Sequence, residues 1–233
     1  MKKLKIFTII LVVFLLGRVL TPVIFANTTS NYTNDYYRNQ LSGTNLRLYD
    51  TILNDVRAGK SSTVFFGDYA DSNLDTILTM IGLDNPEIIN FKFSTESTSF
   101  GFVSVIYYEY DIVDHGETKE VIDSFVATTK NMNDIDKIAY VYNKLLSVNY
   151  VTDNHSNFTA HGALIENEAS CEGFAKALSY FMNEVGIENH IVATTHNGVY
   201  HSYNAATIDG IEYRFDATFD ATDGNNTIDY FMF

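Results

Sequence analysis

The sequence is short of the residues on which several classes of protein depend. Its 233 residues include one cysteine, no tryptophan and two prolines. A single cysteine excludes an internal disulfide and a cysteine-rich zinc site, and two prolines exclude proline-rich repeats. Lys and Arg number 15 against 29 Asp and Glu, which gives a formal net charge of −14. We therefore expect no nucleic-acid partner, because phosphate contacts need clustered lysine and arginine.

The remaining composition is that of a globular protein. Hydrophobic residues make up 46% of the chain and charged residues 19%, which is enough apolar content to form a core. Apolar spacing predicts a helical region over 36–56 and a shorter helix over 71–81. β-Branched and aromatic residues predict strands over 88–93, 100–110 and 121–128. Residues 27–130 thus form a predicted N-terminal α+β region, whose role the sequence does not indicate.

Residues 1–26 are typical of a targeting segment. Lys2, Lys3 and Lys5 precede an apolar run over 6–17, and a second apolar patch ends at Ala26. A basic start, a short apolar run and a small residue predict a secretory signal peptide. The same segment is long enough to span a bilayer, so an N-terminal anchor is the alternative. We expect a secreted or membrane-anchored extracellular protein, with membrane contact only through this segment if it stays uncleaved.

The region from 131 to 233 is predicted to alternate between helix and strand. Helical spacing covers 133–147 and 170–185, and Gly186 is the stop signal of the second helix. A loop over 154–168 separates them, and strands are predicted over 190–195, 200–208 and 211–219. We predict the domain boundary near residue 130.

Cys171 lies where the loop becomes a helix. Ser170 is the predicted N-cap, so Cys171 occupies the first turn, where free N–H groups and the positive helix end favour a thiolate. Gly173 would let another element approach closely. The alternative is an inert buried thiol, which describes most free cysteines. A lone thiol in an exported protein favours a functional role.

A predicted hairpin can supply the base that a catalytic thiol needs. Asp209-Gly210 between two strands predicts a type I′ turn that pairs Ile208 with Ile211. This register makes His201 and Asp216 diagonal neighbours, ~7–8 Å apart at the backbone. A histidine oriented by a carboxylate is the expected partner of a nucleophilic thiol. The other histidines are interpreted as follows: His161 and His155 are competitors for the base, and His190 and His196 are surface residues.

Several separated motifs resemble the bacterial transglutaminase-like superfamily over about the C-terminal half of the chain. They are Gly162-Ala163-Leu164, Ser170-Cys171-Glu172-Gly173-Phe174-Ala175, Gly186-Ile187, His201-Ser202-Tyr203-Asn204 and Tyr213-Arg214-Phe215-Asp216-Ala217-Thr218-Phe219. The resemblance implies an α+β fold with a papain-like Cys–His–Asp core, in which a helix-borne cysteine packs on an antiparallel sheet. It implies that Cys171 is the nucleophile, His201 the general base and acid, and Asp216 the orienting group. Tyr203 and Phe219 stand where the family usually has tryptophan.

The implied function is acyl transfer or hydrolysis at glutamine amide or peptide bonds through a thioester, on a protein or peptide substrate. The backbone N–H of Cys171 is one expected oxyanion donor, and the second stays open. We expect no cofactor and no metal. One alternative is a non-catalytic binding module of the same fold at the cell surface. Another is a membrane-anchored structural protein, which depends on residues 6–26 alone.

Overall fold

The computed structural model describes residues 34–66, 73–88, 97–100, 103–107, 116–196, 198–222 and 231–232. The predicted signal or anchor at 1–26 and nearly all of the predicted strand at 88–93 lie outside these residues. Within the described ranges, no helix combines the length and the apolar character that a membrane crossing requires.

The described chain consists of short helices and mostly antiparallel strands in mixed order, and β4 and β5 form one parallel pair. The helices are α1 (Gly43–Arg57), α2 (Leu74–Asp84), α3 (Glu117–Thr129), α4 (Asp134–Leu145), α5 (Cys171–Glu184) and α6 (Ala217–Thr222). The strands are β1 (Ser62–Phe66), β2 (Ser97–Phe100), β3 (Val103–Tyr107), β4 (Asn149–Tyr150), β5 (Glu168–Ala169), β6 (Asn189–His196), β7 (Val199–Ile208), β8 (Ile211–Phe215) and β9 (Phe231–Met232). The predicted α+β class is confirmed.

Two antiparallel sheets belong to two hydrophobic clusters. The sheet β1-β3-β2 lies in the N-terminal region, where Phe65 and Ile106 pack with buried residues of α1 and α2. The sheet β6-β7-β8-β9 lies in the C-terminal region, where Phe215 packs with Phe174 and Phe181 of α5. The helix that begins at Cys171 is therefore packed on an antiparallel sheet, as expected from the family resemblance.

The predicted strand over 121–128 is wrong, because this segment lies within helix α3. Ile122, Phe125 and Val126 recur at three- and four-residue steps and contact the same core as α4 and α5. Ile122 is fully buried. β-Branched residues favour strands only when the surroundings suit a pleated surface. Here a helix places Ile122, Phe125 and Val126 on one face that packs on the hydrophobic core, and this burial favours a helix over a strand.

The predicted strand over 211–219 is only partly right. Strand β8 ends at Phe215, and α6 begins at Ala217. A carboxylate oxygen of Asp216 accepts a hydrogen bond from the backbone N–H of Phe219, with an N···O distance of 3.4 Å. An aspartate in front of a helix satisfies one of its unpaired N–H groups in this way. Asp216 thus lies at the junction of β8 and α6.

The start of the described chain is tied to both regions. The buried carboxylate of Asp84 accepts hydrogen bonds from the backbone N–H groups of Tyr37 (3.0 Å) and Arg38 (2.9 Å) and from the Tyr49 hydroxyl (2.9 Å). Burial raises the pKa of Asp84 to about 6. The Tyr37 hydroxyl donates to the carbonyl of Ile191 in β6 at 2.6 Å. Through these bonds the N-terminal region reaches the sheet that carries His201.

Candidate active site

The start of α5 is held by a local network of hydrogen bonds. The Ser170 hydroxyl accepts a bond from the N–H of Gly173 at 3.5 Å, so the predicted N-cap is confirmed. The carbonyl of Asn157 accepts from both the backbone N–H (2.8 Å) and the hydroxyl (3.1 Å) of Ser170. Cys171 follows in the first turn and is 5% exposed. These bonds fix where the thiol enters the site.

Gly173 allows the loop that contains Asn157 to lie directly on the helix. A Cβ atom at position 173 would lie 2.2 Å from the carbonyl oxygen of Asn157, far inside van der Waals contact. The expectation that this glycine permits a close approach is therefore confirmed. The same Asn157 carbonyl anchors Ser170, so the contact that requires glycine also positions Cys171.

We expect Gly173→Ala to destabilise the protein by about 1–3 kcal/mol or more, because a backbone carbonyl must move to admit the methyl group. Urea unfolding followed by circular dichroism measures the change. Gly82→Ala is the matched control, since a Cβ there has only the Lys176 amine at 3.8 Å as its nearest neighbour. Alanine favours the helix at that position by about 0.5–1 kcal/mol. Equal effects of the two substitutions would contradict the close approach.

The hairpin has the predicted turn and register. Asp209 and Gly210 have φ values of 53° and 77°, as a type I′ turn requires. Ile208 pairs with Ile211 across β7 and β8. Because side chains alternate along each strand, this register places His201 and Asp216 on one face.

His201 and Asp216 form a buried hydrogen-bonded pair. His201 Nε2 lies 2.8 Å from Asp216 Oδ2, and the two residues are 7% and 5% exposed. The predicted pairing of these residues is confirmed. A carboxylate only accepts hydrogen bonds, so Nε2 carries the proton in this contact. The other ring nitrogen, Nδ1, is then the basic atom of a neutral imidazole.

Three further side chains enclose the pair. Phe219 stacks on the His201 ring with centroids 4.6 Å apart, and Tyr203 lies 6.3 Å away on the same strand. Both positions at which the family resemblance expects tryptophan thus place an aromatic ring near the histidine. Arg214 donates a hydrogen bond from Nη2 to Asp216 Oδ2 at 2.8 Å. The His201 imidazole is therefore held by stacking on Phe219 and by a hydrogen bond to Asp216, which Arg214 holds in turn.

The backbone of β7 approaches the Cys171 thiol. The backbone N–H groups of Ser202, which directly follows His201, and of Glu172 lower the pKa of the thiol. Burial is the larger effect and raises that pKa, and the negative charges of Glu172 and Asp216 raise it further. The net direction is upward, so the expected stabilisation of the thiolate by the helix start is outweighed. Burial thus favours the thiol over the thiolate.

Solved structures similar to this chain include the following three. The first is a TGase, with 15% sequence identity and a TM-score of 0.39 over 71% of this chain and 51% of its own length. The second is the periplasmic domain of TgpA from Pseudomonas aeruginosa bound to ethylmercury, with 9% identity and a TM-score of 0.39 over 52% of this chain and 56% of its own. The third, from Cytophaga hutchinsonii, is described as a candidate cysteine protease, with 12% identity and a TM-score of 0.37 over 68% and 72%.

The chain spans about half the length of the first two structures. No family model and no curated protein matches the sequence.

The competing histidines lie in other environments. His161 is buried, with Nδ1 3.2 Å from the Thr118 hydroxyl of α3 and Nε2 3.8 Å from Glu166. Its two ring nitrogens therefore face Thr118 of α3 and Glu166 rather than Asp216. His190 is not a surface residue as predicted: it is half-buried and stacks on Tyr36 with centroids 3.7 Å apart. Burial lowers the pKa of His190.

Two tyrosines near Cys171 escape prediction from the sequence. Tyr150 pairs with Ala169, two residues before Cys171, and burial together with the nearby Cys171 raises its pKa. Burial and the charge of Glu172 raise the pKa of Tyr200 to about 12, and its hydroxyl donates to Glu172 at 3.5 Å. Both side chains are more than two-fifths exposed. Tyr150 comes from a two-residue strand whose pairing has no signal in the sequence.

Proposed function

We propose that the chain is an exported, transglutaminase-like cysteine enzyme that performs acyl transfer or hydrolysis at glutamine amide or peptide bonds through a thioester on Cys171. The observation that carries this proposal is the buried 2.8 Å contact between His201 and Asp216, next to a thiol that starts a helix and whose pKa the N–H of Ser202 lowers. A binding module has no need for these three groups together, whereas nucleophilic catalysis needs each of them.

Acylation of the thiol uses each group in turn. His201 Nδ1 takes the proton from the Cys171 sulfur as the sulfur attacks the substrate carbonyl carbon. Asp216 accepts the Nε2–H of the imidazolium and stabilises its charge. The backbone N–H of Cys171 lies in the first turn of α5, where N–H groups have no carbonyl partner within the helix, and it donates to the developing oxyanion. The C–N bond then breaks, His201 returns the proton to the leaving ammonia or amine, and a thioester remains.

Deacylation reverses these roles with a second nucleophile. An amine or water attacks the thioester carbonyl while His201 Nδ1 accepts its proton. The C–S bond breaks, and the proton passes from His201 to the sulfur, which restores the thiol. An amine yields a cross-linked product, and water yields a deamidated or cleaved one. The substrate we propose is a protein or peptide, and the acceptor decides between these outcomes.

A neutral resting thiol fits this scheme. Burial raises the pKa of Cys171, so the thiolate forms only as His201 takes the proton during attack. Buried Cys171 also favours the second candidate, a non-catalytic binding module at the cell surface, because inert free cysteines are usually buried. The two candidates differ in one respect: only the enzyme converts a substrate.

Incubation with a casein acceptor and a labelled primary amine, followed by mass spectrometry of the peptides, tests the proposal. We expect the wild-type protein to produce amine-labelled, deamidated or cleaved peptides, and Cys171→Ser to produce none. Labelled glutamines indicate transfer, acidic glutamines indicate deamidation, and new termini indicate proteolysis. A wild-type protein that binds peptides but alters none of them, across a panel of acceptors, would support the binding module.

A further inference from the structure

Arg214 and His201 share one oxygen of Asp216. Arg214 Nη2 lies 2.8 Å from Oδ2, and His201 Nε2 lies 2.8 Å from the same atom. The other carboxylate oxygen, Oδ1, accepts from the backbone N–H of Phe219. Both oxygens of Asp216 therefore accept hydrogen bonds. The positively charged guanidinium of Arg214 contacts the same oxygen that accepts from the imidazole.

The guanidinium of Arg214 is held by stacking as well as by hydrogen bonding. Its central carbon lies 4.1 Å from the centroid of the Tyr203 ring. Its Nε is buried and lacks a hydrogen-bond partner within the part of the chain that the structure describes. A buried donor left unpaired destabilises the fold, so contact with Tyr203 and Asp216 must offset that loss. Arg214 is thus fixed between the ring that neighbours His201 and the carboxylate that orients it.

We propose that Arg214 is a positioning residue that fixes Asp216 against His201 and, by sharing its carboxylate oxygen, limits the negative charge that Asp216 presents to the imidazole. This inference rests on the proposed function of Cys171, His201 and Asp216. A carboxylate next to an imidazole favours the imidazolium, and a nearby guanidinium opposes that effect. Arg214 therefore opposes formation of the imidazolium before attack, so that charge separation accompanies attack on the substrate.

The other titratable side chains named near Cys171, His201 and Asp216 are acidic or neutral, whereas Arg214 is positively charged. They are Cys171 and Glu172 on α5, Tyr200 and Tyr203 on β7, Tyr150 on β4 and Asp220 on α6. The Glu172 carboxylate is paired with Lys176 at 2.7 Å, and Asp220 with the hydroxyl of Tyr142 at 2.6 Å. Arg214 is the cation in direct contact with Asp216, so its removal changes the charge at the imidazole most directly.

The test is the pH dependence of Cys171 alkylation by iodoacetamide in the full chain, measured for wild type, Arg214→Gln and Arg214→Lys. We expect Arg214→Gln to move the midpoint of the profile about one pH unit lower. Unopposed, Asp216 favours the imidazolium with which it is in direct contact, and this effect exceeds its smaller effect of raising the pKa of the Cys171 thiol. In the pH range below the wild-type midpoint, alkylation becomes about tenfold faster. Arg214→Lys keeps the positive charge and should restore the wild-type midpoint.

Two controls separate this inference from the function on which it rests. Arg57→Gln removes an arginine at the end of α1 that pairs with Glu87. This substitution should leave the pH profile of alkylation unchanged. His201→Ala must slow alkylation if the proposed function is right. If His201→Ala slows alkylation while Arg214→Gln leaves the midpoint in place or moves it upward, the role of Arg214 is wrong and the function stands. If His201→Ala has no effect, the proposed function fails first. Circular dichroism identifies any variant that does not fold.

Discussion

Replacement of His201 by alanine is expected to lower the turnover of an acyl substrate by a factor of about 10³ to 10⁴, near the upper end of what one general acid–base contributes. The expected loss is large because the thiol itself is neutral. Burial raises its pKa, and removal of Nδ1 of His201 removes the base that takes the proton in the proposed mechanism. Steady-state rates with a casein-derived peptide and a primary amine measure the change.

His161→Gln is the matched control for this prediction. His161 is also buried, but its ring nitrogens face Thr118 and Glu166 rather than Asp216. Glutamine keeps a polar group of similar reach at that position. We expect turnover to stay within about threefold of wild type once the folded fraction is accounted for, because substitutions away from the reacting groups usually have small effects. A loss at His161 as large as the loss at His201 would show that the base is misassigned.

Asp216→Asn is expected to lower turnover by a factor of about 10² to 10⁴ with little change in stability. Asparagine also caps helices well, so the contact with the N–H of Phe219 can survive. The amide lacks the negative charge that stabilises the imidazolium. It can also turn its NH₂ group toward the ring, which selects the wrong tautomer of His201. Parallel measurement of kcat and of the urea midpoint separates the two effects.

Asp220→Asn supplies the opposite pattern as a control. Asp220 is buried in α6, which follows Asp216, and its carboxylate accepts from the Tyr142 hydroxyl at 2.6 Å. We expect that substitution to lower stability while the folded protein keeps its turnover. If Asp216→Asn instead lost stability and kept turnover, the pair with His201 would be structural, and the orienting role of Asp216 would have to be abandoned.

The part of the site that follows local rules could be predicted from the sequence. The Asp209-Gly210 turn has one favoured conformation, and it sets a register in which any slip would turn Ile208 and Phe215 away from the core. The pairing of His201 with Asp216 follows from that register. Likewise, Ser170 in front of an apolar helical stripe has few other roles than an N-cap, and a glycine in the first turn indicates close approach.

One error comes from contacts between distant parts of the chain. Residues 121–128 are rich in strand-forming side chains, but Ile122 and Phe125 find a helix core to cover, and this burial exceeds the local preference. The helix over 121–128 could not be read from the local sequence, since it depends on which surface the segment meets after folding. The early end of β8 has a local cause instead, because the Asp216 carboxylate caps α6.

The electrostatics of the site also depend on distant contacts. The helix start at Cys171 is visible in the sequence, and it predicts a thiolate. The structure adds burial, which acts in the opposite direction and is the larger effect. Arg214 lies on the predicted polar face, yet its contact with the same oxygen that serves His201 requires side-chain positions. The spacing of residues along the strands predicts which groups share a face of the sheet. It does not predict how burial and neighbouring charges change the electrostatics of those groups.

Activation of the Cys171 sulfur by His201 can be measured at that sulfur, through the rate at which it is alkylated. Cys171 is the only cysteine in the chain, so iodoacetamide uptake followed by mass spectrometry reports on one atom. Wild type and His201→Ala are compared between pH 5 and pH 9. We predict that below pH 7 the wild-type thiol reacts at least about tenfold faster than the His201→Ala thiol, whose reactivity rises only near or above the ordinary thiol pKa of ~8.5. Superimposable profiles for the two proteins, both with the titration of an unassisted thiol, would contradict this prediction.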